Sequence, residues 1–86
     1  MKVIYKYNLK PTVLLPKDAL ILKVAMQNDG LYIWTIIDPN EKTHIEREFQ
    51  VVATGDPFDY NRLKYTFIDT IFDGPFVWHI FEVNNN

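Results

Sequence analysis

The chain has 86 residues, enough for one domain, and its 48% hydrophobic and 23% charged content excludes a disordered segment while leaving a small margin of stability. Nine basic and 11 acidic residues give a net charge of −2, which argues against general nucleic-acid binding, because a phosphate backbone is held mainly by excess Lys and Arg. The absence of cysteine excludes disulfides, thiol catalysis and Cys-based zinc sites and fits a reducing cytosol.

Strand signals recur at short spacing along the chain. Aromatics make up 15% of it, and such residues favour pleated surfaces. The opening Met1-Lys2-Val3-Ile4-Tyr5-Lys6 lacks the apolar run and cleavage site of a signal peptide. Val3 to Asn8 reads as a first strand, and Thr12 to Leu15 as a second that ends at Pro16. Pro11 lacks an N–H and suits an edge or a corner. After a turn at Lys17-Asp18, Ala19 to Asn28 and Leu31 to Asp38 read as strands three and four. Asp38-Pro39-Asn40-Glu41-Lys42 has strong turn chemistry. Thr43 to Thr54 alternates as a fifth strand, with Ile45, Phe49, Val51 and Ala53 on one side, interrupted by Arg47. His44, Glu46, Glu48 and Gln50 form its other, solvated side. Gly55 to Arg62 is the longest loop, and Phe58 to Lys64 has room for a helical turn or two. Tyr65 to Phe72 and Phe76 to Val83 form a closing hairpin, followed by a polar tail at 84–86. The pattern predicts a single all-β domain over 1–83, about seven antiparallel strands in a small sandwich or partly open barrel. No segment approaches the roughly 20 apolar residues of a membrane span.

Turn chemistry predicts two hairpin registers. Asp29-Gly30 is a type I′ signal that pairs Met26 with Ile33, Val24 with Thr35 and Leu22 with Ile37, with these six residues on the core face. Tyr32 and Trp34 lie on the opposite, mixed face. A three-residue loop, Asp73-Gly74-Pro75, spares Pro75 a paired position and sets Phe72 by Phe76, Asp69 by His79, Phe67 by Phe81 and Tyr65 by Val83.

Four groups of residues carry the chemistry. Asp69 and His79, facing across the closing hairpin, form either an acid–base dyad or a mutually satisfied pair that fixes register. The second is favoured, because no nucleophile or oxyanion device lies in the neighbourhood. His44, Glu46 and Glu48 could offer metal ligands, but solvated strand faces commonly carry such residues, so neither a metal nor another cofactor is expected. Thr54-Gly55-Asp56-Pro57 could present amides to an anion, but it falls far short of a phosphate-binding loop and reads as a turn. Tyr32, Trp34, Phe76 and Trp78 supply a surface for a protein or a base. The closing hairpin is apolar on both faces, the first also carries large apolar residues on both, and a small sheet cannot bury two faces with its own mass. A homo-oligomer or an obligate partner is therefore expected.

Met1-Lys2-Val3-Ile4-Tyr5-Lys6-Tyr7 at the start, Leu15-Pro16 with Ala19-Leu20-Ile21-Leu22, Leu31-Tyr32-Ile33-Trp34 with Asp38-Pro39, Ala53-Thr54-Gly55-Asp56-Pro57, and Phe76-Val77-Trp78-His79-Ile80-Phe81-Glu82 at the end follow one another in that order. Together they resemble a family of small proteins of unknown function encoded by tailed bacteriophages and prophages. The resemblance runs over nearly the whole chain and brings no catalytic motif. It implies a phage accessory protein acting in the host bacterial cytoplasm. Small, acidic, oligomer-prone phage proteins often interfere with host systems, by occupying a defence protein or by sequestering nucleotide signals between subunits. The resulting expectation is a non-enzymatic, homo-oligomeric binding protein directed at host defence or takeover. A small anionic, nucleotide-like ligand would sit at a subunit interface near Trp78, His79 and the Gly55-Asp56 loop. The alternatives are an assembly component of the phage particle and a small enzyme using Asp69 and His79.

Overall fold

A computed structural model describes residues 1–28 and 30–84. Its strands are β1 Val3–Asn8, β2 Thr12–Pro16, β3 Leu20–Gln27, β4 Gly30–Ile37, β5 His44–Ala53, β6 Tyr65–Asp73 and β7 Phe76–Val83. Every pairing is antiparallel, in two open sheets ordered β1-β4-β3 and β2-β5-β7-β6. The all-β expectation of seven strands and two hairpins holds, and the arrangement is a small sandwich. Phe58 to Lys64 forms no helix. The Asn61 carbonyl accepts the Lys64 and Tyr65 amides in one turn, and a segment that short does not offset the cost of helix nucleation. Asn84 is part of the fold: its amide donates to the Lys64 carbonyl and its side-chain oxygen accepts from Thr66. The rest of the predicted polar tail, 85–86, lies outside the described residues.

The chain changes sheets at Pro11, the predicted corner. Leu9 donates to Leu31 of one sheet, whereas Pro11 accepts from Phe49 of the other. It crosses back through the Lys17-Asp18 turn, where Asp18 takes a φ of 65°. Alternation then aims Val13, Leu15, Phe49, Ile71 and Ile80 of one sheet at Val24, Ile33 and Ile37 of the other, with Ala19 beside them. Ile33, Ile80 and Leu15 have no exposed surface. Thr35 is also fully buried, and its hydroxyl is satisfied by the Tyr5 carbonyl.

Both hairpin registers differ from the predicted ones. Gln27 pairs with Gly30, so the first reversal begins at Asn28, which takes the left-handed conformation (φ 57°) expected of Gly30. Asn tolerates that conformation better than most residues. The Asp29 position lies outside the described residues. The shift is even, so Val24, Ile33, Thr35 and Ile37 remain on the core face as predicted. Leu22 does not. A bulge between Ile21 and Lys23 turns it out to 47% exposure and puts Ile21 against the core instead.

The second hairpin turns on Gly74-Pro75 alone, with Asp73 opposite Phe76. Gly74 has a φ of 58°, and Gly followed by Pro suits a type II′ turn, in which Pro needs no donor. Thr70 therefore faces His79, and Asp69 faces Ile80. A second bulge, between Phe67 and Asp69, cancels the slip, so Phe67 with Phe81 and Tyr65 with Val83 are as predicted.

Candidate functional site

The slip at the second turn separates Asp69 from His79. Their pairing partners alternate across the sheet, so Asp69 faces the sandwich interior and His79 the outside. They form neither a dyad nor a facing pair. Asp69 instead bridges the sheets: its carboxylate accepts from Lys23 Nζ at 2.9 Å and from the Val24 amide at 3.2 Å, both on β3. Its other oxygen accepts the Thr70 amide at 2.9 Å. Burial pushes its pKa up, but the hydrogen bonds from Lys23, Val24 and Thr70 and the Lys23 charge outweigh this and hold it below the ordinary value of 3.8.

A carboxyl whose folded pKa is depressed stabilises the fold fully above its unfolded pKa. It loses that contribution as pH falls through the folded value. Asp69→Asn is therefore expected to be less stable than wild type at about pH 7, with the gap closing by about pH 2. Urea unfolding at the two pH values measures this, and a gap that does not change would show that the carboxylate charge is not its source.

His79 is held by two hydroxyls. Thr54 Oγ1 lies 2.7 Å from its Nε2 and Thr70 Oγ1 3.1 Å from its Nδ1. The loop that supplies Thr54 is a turn, as predicted: Asp56 donates to the Ala53 carbonyl, and Gly55 takes a φ of 94° with open space around it. Gly55 and Asp56 lie on the surface. His44, Glu46 and Glu48 are exposed, and among the described residues no three His, Cys, Asp or Glu side chains gather into a metal site.

The aromatic residues divide among three places. Phe76 and Trp78 stack at 5.6 Å on the inner face of β7, and Trp78 packs on the core. Tyr32 and Trp34 lie on the outer face of the three-stranded sheet, where Lys6 sits 4.9 Å above the Tyr32 ring. Tyr32 and Trp78 meet at a cleft of about 530 Å³ between the two hairpin tips, lined also by Leu9, Met26, Val51 and Asp73. Trp34 is not among its lining residues.

The outer face of β6 and β7 holds a cluster that the sequence did not single out. Phe67 and Tyr65 stand beside Phe81, with ring centroids 5.6 and 6.2 Å away. The 54–64 loop folds over them, bringing Phe58 to 5.0 Å and Tyr60 to 6.0 Å from Phe81. Phe67 remains 55% exposed, and Phe72, farther along the same face, 77%. The even spacing of Phe67 from Tyr65 was legible. The return of Phe58 and Tyr60 from the longest loop had no local signal.

Arg47, an interruption of the apolar side in sequence, points into the far end of the sandwich. It binds Glu82 through two bonds of 2.6 and 2.7 Å and the Ala19 carbonyl at 2.6 Å. An arginine alternating with apolar residues was the available sign, because an inward charge needs a partner.

No curated protein and no solved structure matches the chain. The family model described as "Domain of unknown function (DUF7352)" matches residues 1–86, and the chain belongs to that family.

Proposed function

We propose that this chain is a non-enzymatic, homo-oligomeric binding protein that grips a partner protein with the aromatic outer face of its four-stranded sheet. In the setting implied by the resemblance to small tailed-phage proteins, the partner is a host protein of defence or takeover, met in the bacterial cytoplasm. One observation carries the proposal: Phe67 and Tyr60 stand more than half exposed in a partly covered aromatic cluster, and Phe72 stands still more exposed farther along the same face. Aromatic anchors concentrate binding energy. Glu48 of β5 and Lys64 of the loop provide the polar rim such patches have. The separation of Asp69 from His79 supports a non-enzymatic role. Among the described residues the hairpin-tip cleft is lined by Asp73 and by no lysine or arginine, which disfavours a nucleotide-like anion there.

Wild type and a Phe67→Asp, Phe72→Asp double variant, purified from bacterial lysate, provide the test. Wild type is expected to retain a host protein at a fixed ratio, and the variant to lose it by about tenfold or more. Both side chains are more than half exposed, so the variant should stay folded, with a modest fall in melting temperature from the lost Phe67–Phe81 contact. A variant that retains the same partner, or a wild type that retains none, overturns the proposal.

A further inference from the structure

Four strands end a sheet, and unpaired edges invite association unless they are blocked. Three of the four are blocked. β3 lies against β6, and its outward Val24 amide is taken by Asp69. β2 is short and bracketed by Pro11 and Pro16. The Pro11–Phe49 bond places Pro16 at an outward-facing position, where it offers no donor. β1 has none of these devices. It runs six residues without proline, glycine or bulge, and β4 is its only paired neighbour among the described residues.

Backbone parity shows what this edge presents. Leu9 donates to Leu31, and in an antiparallel ladder alternate residues face the partner strand. Val3, Tyr5 and Tyr7 therefore bond to β4, while Ile4, Lys6 and Asn8 turn their N–H and C=O groups outward. Tyr5 shows that cover is missing. It pairs with the fully buried Thr35 and faces the interior, yet it is 51% exposed because the sheet stops at β1.

We propose that β1 pairs antiparallel with β1 of a second copy about a two-fold axis at Tyr5, joining two three-stranded sheets into one of six. This rests on the homo-oligomeric part of the function proposed above, and it names the surface. A two-fold axis normal to the sheet keeps each face on its own side, so residues of like parity meet. With the axis at Tyr5, Ile4 exchanges backbone bonds with Lys6 of the second copy, and the two Tyr5 rings lie side by side. An axis at Ile4 would set Lys2 against Lys6, and an axis at Lys6 would set Lys6 against itself, and like charges directly opposite are destabilising. Axes at Val3 or Tyr7 bring only the ends of β1 together, so the axis at Tyr5 is the register that pairs most of the strand without opposed charges. Such a contact also closes on itself, leaving no open edge to propagate.

The chain has no cysteine, so a single introduced one reports on the contact. Across the proposed axis the Cα atoms of residue 5 are about 4.5 Å apart, within disulfide reach. Under mild oxidation of the full chain, Tyr5→Cys is expected to cross-link to a dimer, and Ile4→Cys and Lys6→Cys much less. Light scattering should give wild type twice its 10.2 kDa. Lys6→Pro removes an outward donor without touching the β4 ladder, so it should give a folded monomer.

Cross-linking at 4 or 6 equal to that at 5 overturns the proposal. So does a dimer that survives Lys6→Pro, although the homo-oligomer then stands with its interface elsewhere. A monomeric wild type overturns both. If Lys6→Pro fails to fold, the cysteine comparison decides.

Discussion

Ile80→Ala is expected to cost about 2–5 kcal/mol, the range for truncating a large aliphatic side chain in a close-packed core. Ile80 has no exposed surface and sits between Val51 of β5 and Asp69 of β6 on the face turned toward the other sheet. At roughly 0.05–0.15 kcal/mol per residue, 86 residues give a total stability of about 4–13 kcal/mol. One substitution would therefore remove a large share of it and lower Tm by about 10–30 °C. Leu22→Ala is the control. Periodicity alone places Leu22 in the core beside Val24, but the bulge turns it outward, so its loss should cost less than about 1 kcal/mol. Equal losses from the two variants would show that the bulge is misplaced.

The second large effect is expected at Arg47. Its side chain is 23% exposed and that of Glu82 18%, so each partner depends on the other for most of its solvation. Arg47→Met strands the Glu82 carboxylate and the Ala19 carbonyl together, at about 2–3 kcal/mol once partial solvent access is allowed for. Adding Glu82→Leu removes the stranded charge and leaves only the Ala19 carbonyl unpaired. The double variant is therefore expected to be more stable than Arg47→Met alone. Chemical denaturation of the single and double variants tests this, and strictly additive losses would show that the two groups do not depend on each other.

Strand positions were legible because proline, glycine and alternation punctuate this chain densely. β1 and β7 fall at their predicted residues, and the other strands within a residue or so. Register was less legible, for a local reason at each turn. In Asn28-Asp29-Gly30 all three residue types tolerate positive φ, so the turn had more than one place to start, and Asn28 takes that conformation. At Asp73-Gly74-Pro75 the shorter turn is available because Pro75 can occupy the turn itself. Neither bulge, at Leu22 nor at Ile68, has a glycine to announce it. A one-residue slip is enough to send neighbouring side chains to opposite faces. That slip separated Asp69 from His79 and exchanged a candidate dyad for a clamp between sheets. The aromatic surface was legible as a need for cover, but its location was not. Trp78 packs inward, whereas Phe76 beside it stays more than half exposed, and the other rings exposed to that degree are Phe67, Phe72 and Tyr60 on the outer face and Tyr5 on the edge strand.

The crossing at Pro11 has a consequence for how the molecule forms. β2 leaves its neighbour in sequence and waits for β5, more than 25 residues later, before it has a partner. β1 likewise needs β4. Only the β3–β4 and β6–β7 hairpins can form from local contacts, and an isolated hairpin is marginal in water. Loop closure must then precede most of the stabilising contacts, which places folding in the slow, millisecond-to-second regime of non-local β topologies. A cut in the 38–43 loop would part β2 from β5 and leave each half with one side of the shared core, so neither half is expected to fold by itself.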